Sequence, residues 1–65
     1  MKLTKQNSGR YQTTDLKGQT WEIELMHEGS MNGLWLISCL DRQGYEEVFN
    51  TKRSAVSYLN EYHSF

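Results

Sequence analysis

The run from Gly33 to Asp41 places apolar side chains on both alternations of an extended strand, with Leu34, Leu36 and Leu40 on one and Trp35, Ile37 and Cys39 on the other. Side chains along a strand alternate between two faces, so this segment asks for cover on both sides. A chain of 65 residues with one amphipathic helix can cover only one sheet face from within. The second row therefore calls for a partner, for the N-terminal ten residues folded back over it, or for a second copy of the chain.

The other elements follow from periodicity. Residues Gln19 to Glu28 alternate, with Trp21, Ile23 and Leu25 on one side and Glu22, Glu24 and Glu28 on the other. A helix would scatter these around its circumference, so a strand is expected. Arg10 to Leu16 predicts a weaker, threonine-rich strand stopped at Lys17 and Gly18, and Tyr45 to Phe49 a further strand after the turn at 41–44. Helical spacing begins after Asn50, where Asn50 or Thr51 can cap a helix whose apolar face is Ala55, Val56, Tyr58, Leu59 and Tyr62. The expected fold is α+β, a three- to four-stranded antiparallel sheet followed by one C-terminal helix packed on one face. Residues 1–9 are expected as a flexible arm and 10–65 as the single domain. Trp21, Ile23 and Leu25 are expected to meet the helix together with Leu34, Leu36 and Leu40, which leaves Trp35 and Ile37 outside beside Glu22 and Glu24. A reversed register would exchange the leucines for the tryptophan and leave the surplus in place.

At this size about 60% of the unfolded surface is buried, so stability is marginal and dimerisation would add to it. Cys39 has no second cysteine to pair with, and no Cys and His spacing matches a zinc site, so a reducing cytoplasm is the expected setting. No segment reaches the roughly 20 apolar residues of a membrane span, and Met1 to Arg10 lacks the apolar stretch of a signal peptide. The net charge of −1 hides a gradient. Lys2, Lys5, Arg10 and Lys17 face only Asp15 in the first third, Glu22, Glu24, Glu28, Asp41, Glu46 and Glu47 outweigh Arg42 in the middle, and Lys52 and Arg53 open the helix. A domain-wide basic excess, usual for general polyanion binders, is missing, so any nucleic-acid contact belongs to the arm or the helix start.

Catalytic chemistry finds no set of residues. Histidine is the side chain whose unperturbed charge changes near neutral pH, and the chain has two, His27 and His63, yet neither has a Ser, Cys or second His at triad or ligand spacing. Cys39 lies in an apolar strand and reads as a small hydrophobe. Glu46 and Glu47 are strand neighbours and point to opposite faces. The glycines at 29 and 33 lead into a strand, without the Lys and Ser or Thr of a phosphate loop. No enzyme, metal or cofactor is expected. Lys52 and Arg53 sit at the positive end of the helix dipole, where cations cost about 0.3 to 1 kcal/mol each.

From Gly44 onward, an aromatic strand followed by Phe49, Asn50, Thr51, Lys52, Arg53, Ser54, Ala55 and then Leu59 resembles the end of the arm-binding N-terminal domain of tyrosine recombinases, the AP2-like integrase domains. The resemblance covers about a third of the chain. It implies an antiparallel sheet followed by a helix, and a sheet face that reads the DNA major groove. Glu22, Glu24 and Glu28 bring like charge to the phosphates on that face.

Two functional expectations result. One is a small non-enzymatic interaction module, of the kind bacterial and phage accessory proteins use, that binds itself as a homodimer or a protein partner through Trp35, Ile37, Glu22 and Glu24 on the outer sheet face. The other is a small DNA-binding protein that uses Lys2, Lys5, Arg10, Lys52 and Arg53, with the acidic sheet face turned away.

Overall fold

The computed structural model describes residues 1–63 and 65. Five strands, β1 (Thr4–Asn7), β2 (Arg10–Thr14), β3 (Thr20–Leu25), β4 (Trp35–Cys39) and β5 (Glu46–Phe49), form one antiparallel sheet in chain order. The helix α1 (Lys52–Tyr62) follows and packs over β3, β4 and β5, with a short 3₁₀ turn at Gly29–Met31 between β3 and β4. The sheet-then-helix order is the expected one, with an additional strand at the N-terminal edge.

That additional strand is β1, where the sequence predicts a flexible arm. Thr4, Lys5, Gln6 and Asn7 are all exposed, so no apolar alternation betrays them. The backbone ladder to β2 holds them, through the pairs Thr4 to Gln12 and Lys5 to Tyr11, with an irregularity before Asn7. Gly9 makes the return possible. It sits at φ +83°, and a Cβ there would stand 3.3 Å from Leu25 Cβ, so both backbone and space ask for glycine.

Register decides which row of β4 is covered. Trp21 lies opposite Cys39, Ile23 opposite Ile37, and Leu25 opposite Trp35. Cross-strand partners share a face, so Trp35, Ile37 and Cys39 lie on the same side as Trp21 and Ile23, under the helix. Trp21, Ile23, Ile37, Cys39, Ala55 and Leu59 form the buried core, and Trp35, Tyr45, Phe49, Val56 and Tyr58 pack around it. This corrects the expected placement of Trp35 and Ile37 on the outer face and of the leucines in the core. Leu36 lies outward opposite Glu24 and Val48, and Leu40 is 56% exposed. The physical reason is Ser38. It shares the alternation of Leu36 and Leu40, and burying that row would desolvate its hydroxyl, whereas the row of Trp35, Ile37 and Cys39 has no polar member.

Asp15 organises the end of the sheet where β2 turns into β3. Its Oδ1 accepts from the backbone N–H groups of Lys17 and Gln19, both at 2.9 Å, and its Oδ2 from the indole Nε1 of Trp21 at 2.9 Å. A short aspartate side chain that gathers the amides of the next residues is a turn-forming device, and here it also satisfies the single polar atom of the central core aromatic. The Trp21 hydrogen bond, foremost, holds the Asp15 carboxyl below the ordinary carboxylate range against the opposing cost of burial, aided by the two turn amides. At the helix, Thr51 is the cap, with Oγ1 accepting from Ser54 N at 3.0 Å.

Candidate functional site

The register divides the predicted residues between two faces. On the outer face, Arg10, Gln12, Glu22 and Glu24 form one polar network across β2 and β3. Arg10 Nη2 donates to Glu24 Oε2 at 2.7 Å, Gln12 Nε2 donates to Glu22 Oε2 at 3.1 Å, and Arg10 Nε lies 3.6 Å from Glu22 Oε1, beyond hydrogen-bonding reach. The hydrogen bond to Glu24, then the fields of Glu22 and Glu24, raise the Arg10 pKa further. The charge of Arg10 is thus already countered by two carboxylates, which weakens its attraction for a phosphate. Lys2 lines an open polar groove on the same side with Thr4, Gln6, Gln12 and Thr20. Leu36 and Val48, a cross-strand pair with Val48 42% exposed, are the apolar content at the centre of this face.

The helix-side face gathers a different set. Lys5 pairs across the ladder with Tyr11, so both project toward the helix side. Lys52, from the first turn of α1, places its Nζ 3.7 Å from the centroid of the Tyr11 ring, and Trp35 lies beside Tyr11 with ring centroids 6.4 Å apart. Arg53, next along the helix, is exposed. The first turn of α1 holds no acidic residue. Among the described residues, the ion pairs within 4 Å involve Arg10 alone, so Lys5, Lys52 and Arg53 carry no carboxylate partner. Two of the five cations proposed for an anionic partner, Lys5 and Lys52, are therefore brought to one face beside Tyr11 and Trp35, with Arg53 exposed next to Lys52 on the helix and Glu22 and Glu24 on the opposite sheet face. Arg10 and Lys2 are not brought there.

At the other end of the sheet, a second group escaped the sequence reading. Gln19, with its amide oriented to satisfy both neighbours, donates to Asp15 Oδ2 at 3.3 Å and accepts from Arg42 Nε at 3.2 Å. The Arg42 guanidinium lies over Trp21, 5.9 Å from the ring centroid. His63 packs against Trp21 with ring centroids 4.3 Å apart, and its Nε2 is 3.1 Å from the Tyr45 hydroxyl, which in turn meets the Tyr58 hydroxyl at 2.8 Å. Burial, followed by the hydrogen bond to Tyr58, pushes the Tyr45 hydroxyl up to about 12. Burial, then the positive field of Arg42, lowers the His63 pKa. The signal for this group lay in Asp15 standing two residues before Lys17 and Gly18, which marks a side-chain-closed turn. Nothing in the spacing announced that Arg42, from the β4–β5 turn, would meet it.

His27 is exposed in the loop after β3, and Cys39 is a buried free thiol. Among the described residues, no three His, Cys, Asp or Glu side chains converge as metal ligands, and no helix is long and apolar enough to cross a membrane. In comparison with known proteins the chain matches no family model, no curated protein and no solved structure.

Proposed function

We propose that the protein is a small non-enzymatic module that binds nucleic acid through the face formed by Lys5, Tyr11, Lys52 and Arg53. The observation that carries this is the meeting at Tyr11 of two cations without carboxylate partners, Lys52 over its ring and Lys5 beside it in the ladder, at the amino-terminal end of α1 where Arg53 is exposed, and on the side of the sheet away from Glu22 and Glu24. Cations at a helix start disfavour the isolated helix, and a bound phosphate reverses that penalty because both the helix end and the side chains then face an anion. Tyr11 and Trp35 add aromatic surface of the kind on which bases stack.

The test is binding of a fluorescently labelled duplex oligonucleotide, followed by anisotropy across a salt series. Three phosphate contacts give a slope of log K against log salt of about −2.7, which weakens binding about 40-fold between about 50 and 200 mM salt. Each of Lys5→Gln, Lys52→Gln and Arg53→Gln should reduce the slope by about 1. Affinity that ignores salt, or a triple variant that binds like the parent chain, refutes the proposal.

A second reading rests on half-buried Leu36 and exposed Val48, the apolar pair on the outer face among Glu22, Glu24 and Glu46. A protein partner or a second copy of the chain would cover it, with the carboxylates steering a basic surface. Sedimentation of Val48→Lys beside the parent chain tests the homodimer, since a parent that stays monomeric at high concentration removes that form of it.

A further inference from the structure

A recess of about 220 Å³ opens between the β2–β3 turn, the β4–β5 turn and the end of α1, lined by Asp15, Lys17, Gln19, Arg42, Tyr62 and His63. It stands at the opposite end of the helix from Lys52 and does not depend on the nucleic-acid reading. Its one carboxylate, Asp15, is fully occupied. Oδ1 accepts the backbone amides of Lys17 and Gln19, and Oδ2 accepts Trp21 Nε1 and the Gln19 amide, which fills the roughly four lone-pair positions of a carboxylate. Asp15 is thereby committed to the fold and has no acceptor left for Arg42 or Lys17. Neither of those cations has a carboxylate within 4 Å among the described residues.

Arg42 is held at two places and free at a third. Gln19 takes its Nε–H, and the guanidinium lies over the Trp21 ring, so the two terminal Nη groups are left as a fork without a protein partner among the described residues. Lys17 contributes a second charge to the same recess. His63 borders the same recess, where its imidazole lies in the positive fields of Arg42 and Lys17 and the opposing field of Asp15. Two cations, one of them a guanidinium with free terminal Nη groups, against one carboxylate whose lone pairs are already taken leave a net positive recess that suits a compact oxyanion. Tyr62, 68% exposed at the rim, offers a hydroxyl and a ring face to whatever carries that anion.

We propose that this recess binds a phosphate monoester, with Arg42 and Lys17 as its charged donors and Gln19 as the positioning residue that aims Arg42. The bidentate guanidinium matches two phosphate oxygens, and the ammonium takes a third. A divalent metal is disfavoured in the same place, since Asp15 has no free lone pair and both cations repel it.

The experiment is a titration of the isotope-labelled full chain with inorganic phosphate and with glycerol 2-phosphate at constant ionic strength, read by nuclear magnetic resonance. Saturable shifts should centre on Lys17, Gln19, Arg42 and the His63 ring, with none for chloride. Arg42→Gln should weaken both ligands about tenfold or more, and Arg42→Lys should recover part of the loss, because it restores the charge without the fork. Gln19→Met should move the Arg42 Nε–H resonance of the free protein and weaken phosphate, which a purely structural glutamine would not do. Lys52→Gln should leave the titration unchanged, so failure here and failure of the nucleic-acid proposal are told apart. Shifts that rise linearly without saturating, that survive Arg42→Gln, or that centre on Lys5 and Lys52 overturn the proposal.

Discussion

Replacing Ile37 by alanine removes the side chain opposite Ile23 at the middle of the sheet, where no solvent reaches either residue. The loss combines the transfer term for the deleted carbons with a cavity that Trp21, Leu59 and their neighbours can only partly close, and for buried Ile to Ala it amounts to about 2 to 5 kcal/mol. A domain of this length has a total stability of about 3 to 10 kcal/mol, so the variant forfeits a large share of it. With about 4 to 8 °C of melting temperature per kcal/mol, a loss of about 3 kcal/mol lowers the midpoint by about 12 to 24 °C. Leu36, one residue earlier, is half-buried and faces outward between Glu24 and Val48, and its alanine variant should cost about 1 kcal/mol because it opens no enclosed cavity. Circular dichroism melts of the two variants, with Ile37→Val as a milder version expected to cost about 0.5 to 1.5 kcal/mol, make the comparison even if Ile37→Ala is largely unfolded. Equal costs at the two positions, or a greater cost at Leu36, would mean that β4 presents its other face to the helix, and would return Trp35 and Ile37 to the outer surface.

Asp15→Asn keeps the size of the side chain but removes the charge and turns one oxygen into a donor facing the Trp21 indole; a lower urea midpoint together with an altered tryptophan emission is expected, and an unchanged midpoint would remove Asp15 from its organising position. Acid should destabilise the protein in two stages. His63 has a folded pKa below its unfolded value near 6.5, so its contribution is complete above that value and is lost as the pH falls through the depressed folded pKa, and His63→Phe should abolish this first stage in urea midpoints measured against pH. Asp15, also depressed, contributes fully above its unfolded value near 3.9 and loses its contribution below that, which gives the second stage. Thr51→Ala removes the acceptor for Ser54 N and should cost about 1 kcal/mol, checked by the same melts, whereas Thr51→Ser should cost much less.

The elements with strong periodicity were legible in the sequence. Trp21, Ile23 and Leu25 alternating with glutamates specify β3 and its covered face, and Thr51 before the run of Ala55 and Leu59 specifies the helix and its cap. β1 was not legible, because backbone hydrogen bonds hold it and no burial marks its residues. The face of β4 was ambiguous while apolarity alone was weighed. Ser38 was the discriminating residue, since a single hydroxyl makes the row it belongs to the costlier one to bury. Lys5, Lys52 and Arg53 were identifiable as cations, but Arg10 looked equivalent to them until the β2–β3 register set it against Glu24. The recess around Arg42 joins two turns and the helix end, and only the closed sheet brings such distant positions together.

The covering of the sheet comes from Ala55, Leu59 and their neighbours, which follow every strand in the chain. During translation the hairpins can pair as they leave the ribosome, since each strand joins the one just before it and such local pairing is fast. Trp21, Ile23 and Ile37 nevertheless stay bare on the nascent ribbon until α1 emerges and docks. A nascent sheet that has emerged ahead of α1 carries an open oily flank, and the interval before the helix docks is when these strands are most exposed to aggregation.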